Sequence, residues 1–207
     1  MKNLFLFGII GIVLFATSCK KSETTDNNTP PPPNAAFSYL SEGVTWTYIN
    51  SDTEPNHAGT TFETSYTITS IDPHGYYSVD WQIPLLLQKL TWYVDTSQWA
   101  DRANKATGDK FTLIKSHPLS GDTVSKTYTS GTTFTITRKV MSVNASKTVP
   151  AGSFTGCVLI HETTTADAQY YKNYWIHPDY GIIRMESTTK DDFPVIIIQE
   201  LKEKPFK

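Results

Sequence analysis

The chain has 207 residues, of which 39% are hydrophobic and 13% aromatic, enough for one well-buried core but not for two. Its 18 basic and 20 acidic side chains give a formal charge of -2, which excludes a field strong enough to attract nucleic acid or an anionic membrane surface. With only two cysteines, Cys19 and Cys157, a disulfide framework is excluded as well.

The first 18 residues have the pattern of a secretory signal peptide, with Lys2 near the start and an apolar run from Leu4 to Phe15. That run is shorter than the roughly 20 residues that a transmembrane helix needs. The small residues directly before Cys19 resemble the lipobox of bacterial lipoproteins, and this resemblance implies that Cys19 carries the lipid. Ordinary secretion with an unmodified cysteine is the alternative. We expect a lipid-anchored protein, because several acyl chains on one residue hold a protein firmly to a bilayer.

Residues 19–35 combine the cysteine with a segment of Ser, Thr, Asn and Asp that leads into the proline run Pro30–Pro33. This composition, without any large apolar residue, predicts a disordered tether ahead of a single β domain over residues 36–207. Lys20 follows the cysteine where an inner-membrane retention signal usually has an aspartate, which indicates the outer membrane. No acidic cluster follows the cysteine, and this favours the periplasmic leaflet over the cell surface.

The folded region opens with segments in which apolar and polar residues alternate with a period of two, typical of strands with one solvated face. These segments are Val44–Tyr48, Phe62–Ile68 and Tyr77–Ile83. The leucine-rich segment Pro84–Val94 fits either one helical turn or a buried strand, and we favour the strand. The helix formers and candidate caps of Asp95–Asp109 predict a short helix or an ordered loop.

The second half of the chain continues as sheet. Alternating segments on either side of Ser130-Gly131 predict a hairpin, Val149–Glu186 predicts two adjacent strands, and Val195–Leu201 predicts the last strand. A total of about ten or eleven strands, with at most one short helix, predicts an all-β fold in which a single antiparallel sheet curls into a half barrel or barrel. A flat sheet of that width would expose one apolar face and two long edges.

Three fragments carry a resemblance to known proteins: FSYLSEGVTWTY, HPLSGDT at His117–Thr123, and VPAGSFTGC followed by YYKNYWIHPDYGIIR. They resemble lipoproteins of Bacteroidetes related to the DUF3108 and TapB2-like families, whose chains carry P-L-x-x-G-D-T-W and V-P-A-G-T-F-x-x-C before an aromatic strand. The chain departs from this pattern at Ser125 and Lys126, where an aromatic residue would follow Gly-Asp-Thr, and at Ser153, which replaces a threonine. The resemblance implies a curled antiparallel sheet comparable to half-barrel lipoprotein carriers. It implies no catalytic residues.

The titratable and nucleophilic residues form no motif of known chemistry. The histidines lack metal-binding spacings and Cys157 lacks a partner cysteine, so we expect no metal site. Glycine-rich phosphate loops and Gly-x-Ser-x-Gly are absent, so we expect no cofactor and no catalytic residue. Cys157 and His161 would lie about 13 Å apart along a strand, too far for a nucleophile and its base. His161 and His177 would face each other if their strands pair, whereas solvent-facing turns are expected for His57, His74 and His117.

Aromatic residues are the one informative excess in the sequence. Alternation places Tyr170 and Tyr174 on one face of a strand and Tyr171, Trp175 and His177 on the other. One face belongs to the core. The residues of the other face, Tyr171, Trp175 and His177, are the candidate ligand contacts, because binding pockets combine aromatic walls with few polar groups. The alternative is that the curled sheet covers both faces.

Three functions follow from this sequence, and they belong to different classes. The leading hypothesis is non-enzymatic binding of an apolar or amphipathic ligand on the concave side of the half barrel. The second is a structural or assembly role in which an exposed sheet edge binds another envelope protein. The third is a hydrolase acting on envelope glycans or esters. We expect a monomer that contacts the membrane through the lipid on Cys19 and binds no nucleic acid.

Overall fold

The computed structural model describes residues 35–54, 59–188 and 196–205. The predicted signal peptide, Cys19, most of the tether and His57 lie outside the described residues. A short 3-10 helix at Ala35–Phe37 precedes twelve strands: β1 (Thr45–Asp52), β2 (Phe62–Ile71), β3 (Tyr76–Ile83), β4 (Leu86–Val94), β5 (Gln98–Asn104), β6 (Asp109–Lys115), β7 (Thr123–Ser130), β8 (Thr132–Val149), β9 (Gly152–Thr164), β10 (Asp167–His177), β11 (Gly181–Thr188) and β12 (Ile196–Leu201).

All twelve strands belong to one antiparallel sheet with the order β6-β5-β4-β3-β2-β1-β12-β11-β10-β9-β8-β7. Strands adjacent in sequence pair with each other, except β6 and β7, which stand at the two ends of the order. The sheet is nearly closed into a barrel, and we call the line where β6 meets β7 the seam. The predicted all-β fold is confirmed, with twelve strands in place of ten or eleven. No helix among the described residues is long and apolar enough to cross a membrane.

The prediction of a short helix or ordered loop at Asp95–Asp109 is wrong, because most of this segment forms β5 and the turn that follows it. Asp95 Oδ1 accepts the backbone N–H of Ser97 at 2.7 Å, and this bond closes a tight turn between β4 and β5 where a helix cap was expected. Trp99 then becomes buried in the core. Burial of a large aromatic ring outweighs the small helix preference of the alanines that follow.

The other predicted segments are strands. Pro84–Val94 contains β4, which follows a two-residue turn at Pro84 and Leu85. The predicted hairpin is formed by β7 and β8. The segment Val149–Glu186, predicted as two adjacent strands, contains the pair β9 and β10 and most of β11. β8 is longer than expected, because it continues to Val149 through several register shifts against β9. These shifts are β-bulges, which increase local twist and help the sheet to curl.

Inward-facing aromatic rings fill part of the interior. Trp92 lies 5.1 Å from Trp99 and 6.2 Å from Trp46, measured between ring centroids. The N-terminal segment adds Leu40, which is fully buried, and Tyr39, whose ring meets Trp99 edge to face at 6.2 Å. Large rings of this kind each bury about 150 to 250 Å² and dominate the energetics of a core.

Ion pairs inside the barrel connect the two sides of the seam. Arg138 on β8 and Glu162 on β9 are 1% and 0% exposed, and Arg138 Nε donates to Glu162 Oε2 at 2.6 Å. The other nitrogens of Arg138 donate to the two carboxylate oxygens of Asp101 on β5, at 2.7 and 3.1 Å, and to the backbone carbonyl of Thr112 on β6. Because β5 and β6 stand at one end of the sheet and β8 and β9 near the other, these bonds cross the seam.

Glu162 is held as an ionised carboxylate at the centre of this network. Besides Arg138, it accepts hydrogen bonds from Arg102 Nη2 at 3.1 Å, Tyr170 Oη at 3.0 Å and Tyr174 Oη at 3.4 Å. Burial by itself raises the pKa of Glu162, but attraction to Arg138 and Arg102 outweighs burial, so the pKa lies below its ordinary value. The carboxylate therefore stabilises the folded chain at neutral pH.

Replacing this carboxylate tests the network. E162Q is expected to lower the free energy of unfolding by about 3 kcal/mol at pH 7, since it removes one of the two carboxylates that neutralise the buried Arg138 and the partly buried Arg102. A lowered pKa means that stabilisation by Glu162 is complete above the ordinary value of 4.5 and is lost as the pH falls through the folded-state value. The difference between wild type and E162Q should therefore shrink below about pH 4.5. Urea unfolding followed by tryptophan fluorescence at pH 7, 5, 4 and 3 measures it.

The matched control is E63Q, because Glu63 pairs with Lys202 at 2.6 Å on the surface, where the two side chains are 56% and 41% exposed. An exposed pair contributes roughly 0 to 1 kcal/mol, so E63Q should change stability by less than that. An equal loss in E162Q and E63Q, or a loss in E162Q that does not vary with pH, would contradict the role assigned to Glu162.

The turn between β2 and β3 requires a glycine at position 75. Gly75 has a φ of +83°, and a Cβ atom there would lie 2.5 Å from the backbone carbonyl oxygen of Val94. The Val94 N–H also donates to the Gly75 carbonyl at 2.9 Å, so the two backbone segments are in direct contact. Gly121 has a similar φ of +91° but no neighbouring atom within 4 Å of the Cβ position.

The two glycines separate backbone strain from steric overlap. G121A should cost about 1 to 2 kcal/mol from the left-handed backbone alone. G75A should cost about 1 to 3 kcal/mol more, because it adds an overlap with backbone that cannot move aside. Urea midpoints of the two variants give the comparison, and equal midpoints would show that the β2–β3 turn adjusts freely.

Candidate functional site

The curled sheet encloses a cavity of about 720 Å³, lined by side chains of β1 to β5 and β10 to β12. Its volume falls within the range of roughly 300 to 1,000 Å³ typical of small-molecule pockets. The cavity opens to solvent beside Phe62 and Ile197, which are 45% and 39% exposed, and it is closed at Leu40 and Trp99, which are buried. The barrel interior is therefore only partly filled by its own side chains.

One wall of the cavity consists of aromatic rings. Of the five tryptophans in the chain, Trp46, Trp81, Trp92 and Trp99 all line it. Tyr66 stacks on Trp81 with ring planes 4° apart and centroids 5.6 Å apart. The indole N–H groups of Trp81 and Trp99 are buried, and neither has a hydrogen-bond partner in the described part of the chain. Buried donors without partners are uncommon in folded proteins.

A small group of polar side chains interrupts this apolar lining. Gln199 Nε2 donates to Thr64 Oγ1 at 2.8 Å and to Asn50 Oδ1 at 3.1 Å, and Asn50 Nδ2 donates to Thr64 Oγ1 at 3.0 Å. The three residues come from β12, β2 and β1, which are neighbours in the sheet. Because they satisfy one another, we assign them a structural role.

Another part of the lining is charged, with Asp101 and Arg102 from β5 and Lys172 from β10, and we call it the charged wall. Both oxygens of Asp101 are already bound by Arg138. Lys172 is partly buried, and its amino group makes no hydrogen bond or ion pair with any described residue. Its Nζ lies 5.5 Å from the centroid of the Tyr174 ring. The cavity thus combines an aromatic wall with a wall that presents an unpaired cation.

The electrostatics of the charged wall favour negative charge. Burial lowers the pKa of Lys172; Glu162 and Asp101 raise it, Arg102 and Arg138 lower it, and the net value lies below the ordinary one. Three cations face two carboxylates in this group, so one positive charge is left without a balancing partner. An anion placed beside Lys172 would restore the balance.

The residues predicted as ligand contacts, Tyr171, Trp175 and His177, do not line the cavity. Tyr171 stacks on His161 with ring centroids 6.0 Å apart. Trp175 lies beneath Lys147, whose Nζ is 4.3 Å from the centroid of its ring. His177 packs against neighbouring aromatic rings at 5.0 and 5.5 Å. The three side chains are therefore not brought together into one site.

The cavity residues of the same strand are Lys172 and Tyr174, which the sequence argument did not select. The necessary signal was present, because Tyr170 and Tyr174 share a face and period two places Lys172 on that face between them. Both tyrosines do bond Glu162 inside the barrel. A register shift after Trp175 breaks the alternation before the end of β10.

The nucleophilic and titratable groups outside the cavity do not form a catalytic arrangement among the described residues. Burial raises the pKa of Cys157 to about 11, so its thiol is protonated at neutral pH. The expectation that His161 and His177 face each other is wrong, because the register pairs His161 with Asn173 and His177 with Gly181. His161 Nδ1 and Asn173 Oδ1 are hydrogen-bonded at 2.8 Å.

Metal binding finds no support in the described part of the chain, where no group of three or more His, Cys, Asp or Glu side chains is arranged around a common centre. His74 and His117 lie in exposed turns, as predicted. What the site offers chemically is an enclosed aromatic volume with one charged wall.

No family model matches the chain, and no curated protein sequence matches it. Among solved structures, it is similar to a "putative exported protein" from Bacteroides fragilis NCTC 9343 with a YmcC-like fold, at a TM-score of 0.54 and 14% identity over 84% of this chain and 98% of that one. It is also similar to a "putative lipoprotein" from Parabacteroides distasonis ATCC 8503, at a TM-score of 0.47 and 17% identity over 79% and 95% of the two chains. At these identities the likeness concerns the fold alone: the chain has a YmcC-like fold.

Proposed function

We propose that the protein is an outer-membrane lipoprotein that binds an apolar or amphipathic ligand inside its barrel and catalyses no reaction. The observation that carries this proposal is the 720 Å³ cavity, whose wall contains four of the five tryptophans. Concave volumes lined mainly by aromatic and apolar side chains, with a few polar groups, are typical of small-molecule sites. Retaining so large a volume is consistent with a ligand that occupies it.

The location proposed for this binding activity rests on the sequence. The segment before Cys19 has the lipobox pattern, and the tether that follows would hold the domain up to about 50 Å from the bilayer, at roughly 3.1 to 3.3 Å per residue. Lys20 favours the outer membrane and the missing acidic cluster favours its periplasmic leaflet. A monomer anchored in this way would present its cavity to lipids and lipid-like molecules of the envelope.

Native mass spectrometry of the chain from Lys20 to Lys207, before and after delipidation, tests the binding proposal. The purified protein should carry a lipid-like mass that organic extraction removes. S187F, which places a ring in the cavity lining, should be recovered with most of that mass missing, because the ring occupies the ligand volume. S78F is the matched control, since Ser78 lies on an exposed position of β3 and should leave the bound mass unchanged.

Circular dichroism and urea midpoints establish that S187F is folded before its ligand content is compared. A wild-type protein that is free of bound mass and takes up no lipid on incubation would contradict the proposal. Equal retention in S187F and S78F would place the ligand outside the cavity.

A second candidate function is binding of another envelope protein, and the tip of the β3–β4 hairpin favours it. Leu85 at this tip is fully exposed and has a φ of +66°, while Leu86 and Leu87 are 47% and 48% exposed. Three consecutive exposed leucines at a strained turn are not explained by packing within the fold, and exposed apolar groups of this kind mark contact surfaces. This surface differs from the sheet edge expected from the sequence, because the two end strands meet at the seam.

A photo-crosslinking amino acid at position 85, introduced in the cells that normally make the protein, tests this second function. A partner at the hairpin tip should give one adduct of defined mass. The same probe at Leu119, which is 68% exposed in a distant turn, should not give it. Adding L86S and L87S to the probe variant should remove the adduct. Identical products from positions 85 and 119, or none from either, would dismiss the hairpin as a partner surface.

A further inference from the structure

We propose that the ligand of this cavity is an amphipath with a negatively charged head group, a carboxylate or a phosphate, that sits beside Lys172 while its apolar tail lies along the tryptophan wall. This inference rests on the proposed binding function and adds the chemical class and the orientation of the ligand.

The charged side chains around Lys172 inside the barrel do not balance one another. Arg138 binds Asp101 through two bonds and Glu162 through a third, and Arg102 binds Glu162 at 3.1 Å. The two carboxylates are thereby matched by the two arginines. Lys172 is the remaining cation of this group, and no described residue supplies it with a carboxylate. With Lys172 protonated, this group of five described side chains is one negative charge short of neutrality.

The position of Lys172 makes its charge available to a ligand. Lys172 lines the cavity, and the titratable groups that influence it are those of the network: Glu162, Asp101, Arg102 and Arg138. Each of the two carboxylates is committed to the arginines, so neither can turn towards the lysine without breaking a buried ion pair. A cation that is held away from water without a partner is unfavourable, and an anion of the ligand removes this cost.

A cationic head group is disfavoured by the charges of the lining. A ligand ammonium would add a fourth positive charge to a group of three cations and two carboxylates, and the charge of Asp101, the carboxylate that lines the cavity, is already paired with Arg138 at 2.7 and 3.1 Å. Arg102, in contrast, gives only one of its N–H donors, on Nη2, to a carboxylate. Its side chain is 39% exposed. Arg102 and Lys172 can therefore both donate to the same anionic group.

The apolar part of the cavity lies away from Lys172. Trp81, Trp92, Leu90 and Ile83 come from β3 and β4, which lie far in the sheet order from β10 that carries Lys172. The curled sheet thus places these uncharged side chains across the cavity from Lys172. A simple anion would leave that wall in contact with water or empty, whereas an alkyl tail covers it and gains about 0.8 kcal/mol for each buried methylene.

Binding of four probes to the chain from Lys20 to Lys207 tests this inference: palmitic acid, hexadecyl phosphate, hexadecanol and inorganic phosphate. Tryptophan fluorescence gives the dissociation constants. Wild type should bind at least one of the two anionic amphipaths about tenfold or more tightly than hexadecanol, as expected for one charge-assisted hydrogen bond. Inorganic phosphate should bind far more weakly, because it has no tail. The tighter of the two anionic probes identifies the head group.

K172M should remove this preference by weakening the anionic probes about tenfold or more while leaving hexadecanol unchanged. K172R keeps the charge and should keep the preference. K147M is the matched control, because Lys147 also lies over an aromatic ring, that of Trp175, and both residues are outside the cavity lining. The K147M variant should bind all probes as wild type does.

The outcomes separate this inference from the function on which it rests. If hexadecanol binds as tightly as the anions in wild type, or K172M retains the preference, the charged head group is wrong and the ligand-binding cavity stands. If none of the amphipaths binds, the proposed function fails and this inference fails with it. Should K172M not fold, the comparison of the probes in wild type and K172R still decides the question.

Discussion

The hydrogen-bonded ion pair between Arg138 and Asp101 is the contact on which the shape of this protein depends. Eleven of the strand junctions in the ring are made by backbone ladders, but β6 and β7 have none between them. Arg138 reaches from β8 to Asp101 on β5 and to a backbone carbonyl on β6, and so replaces the missing ladder with side-chain bonds. A guanidinium suits this task because its planar fork can bind two carboxylates at once in fixed geometry.

The same network bears on the ligand that we propose for the cavity. Because the two arginines pair with both carboxylates, Asp101 and Glu162, the ammonium group of Lys172 is left as the unbalanced charge beside a largely aromatic volume. Closure of the barrel and the proposed preference for an anionic ligand are therefore both argued from one distribution of charge. The aromatic wall adds affinity for apolar matter without selecting its shape, since ring surfaces accept many orientations. Selectivity in such a cavity comes from the few polar groups that fix orientation.

Much of the fold could be predicted from the sequence, because period-two alternation in segments such as Phe62–Ile68 depends only on local residue pattern. The segment at Asp95–Asp109 misled for the same reason: its alanines favour a helix locally, whereas the burial of Trp99 depends on its packing against Trp92 and Tyr39. The cavity could not be predicted, since alternation says which side chains share a face but not whether the sheet curls tightly enough to fill its interior. The inward position of Lys172 could nevertheless have been predicted, because it lies between two inward-facing tyrosines.

Because no backbone ladder joins β6 and β7, the seam is the strand junction along which the barrel widens most easily. Near that line the chain relies on exposed ion pairs, Lys126 with Asp109 and Lys115 with Asp122, each 3.2 Å long. Exposed pairs of this kind contribute little and are screened by salt, whereas parting any other two strands would break a row of backbone hydrogen bonds. The seam is thus held by Arg138 in the interior and by exposed ion pairs at the surface. It is the strand junction of this barrel at which neighbouring strands separate without the loss of a backbone ladder.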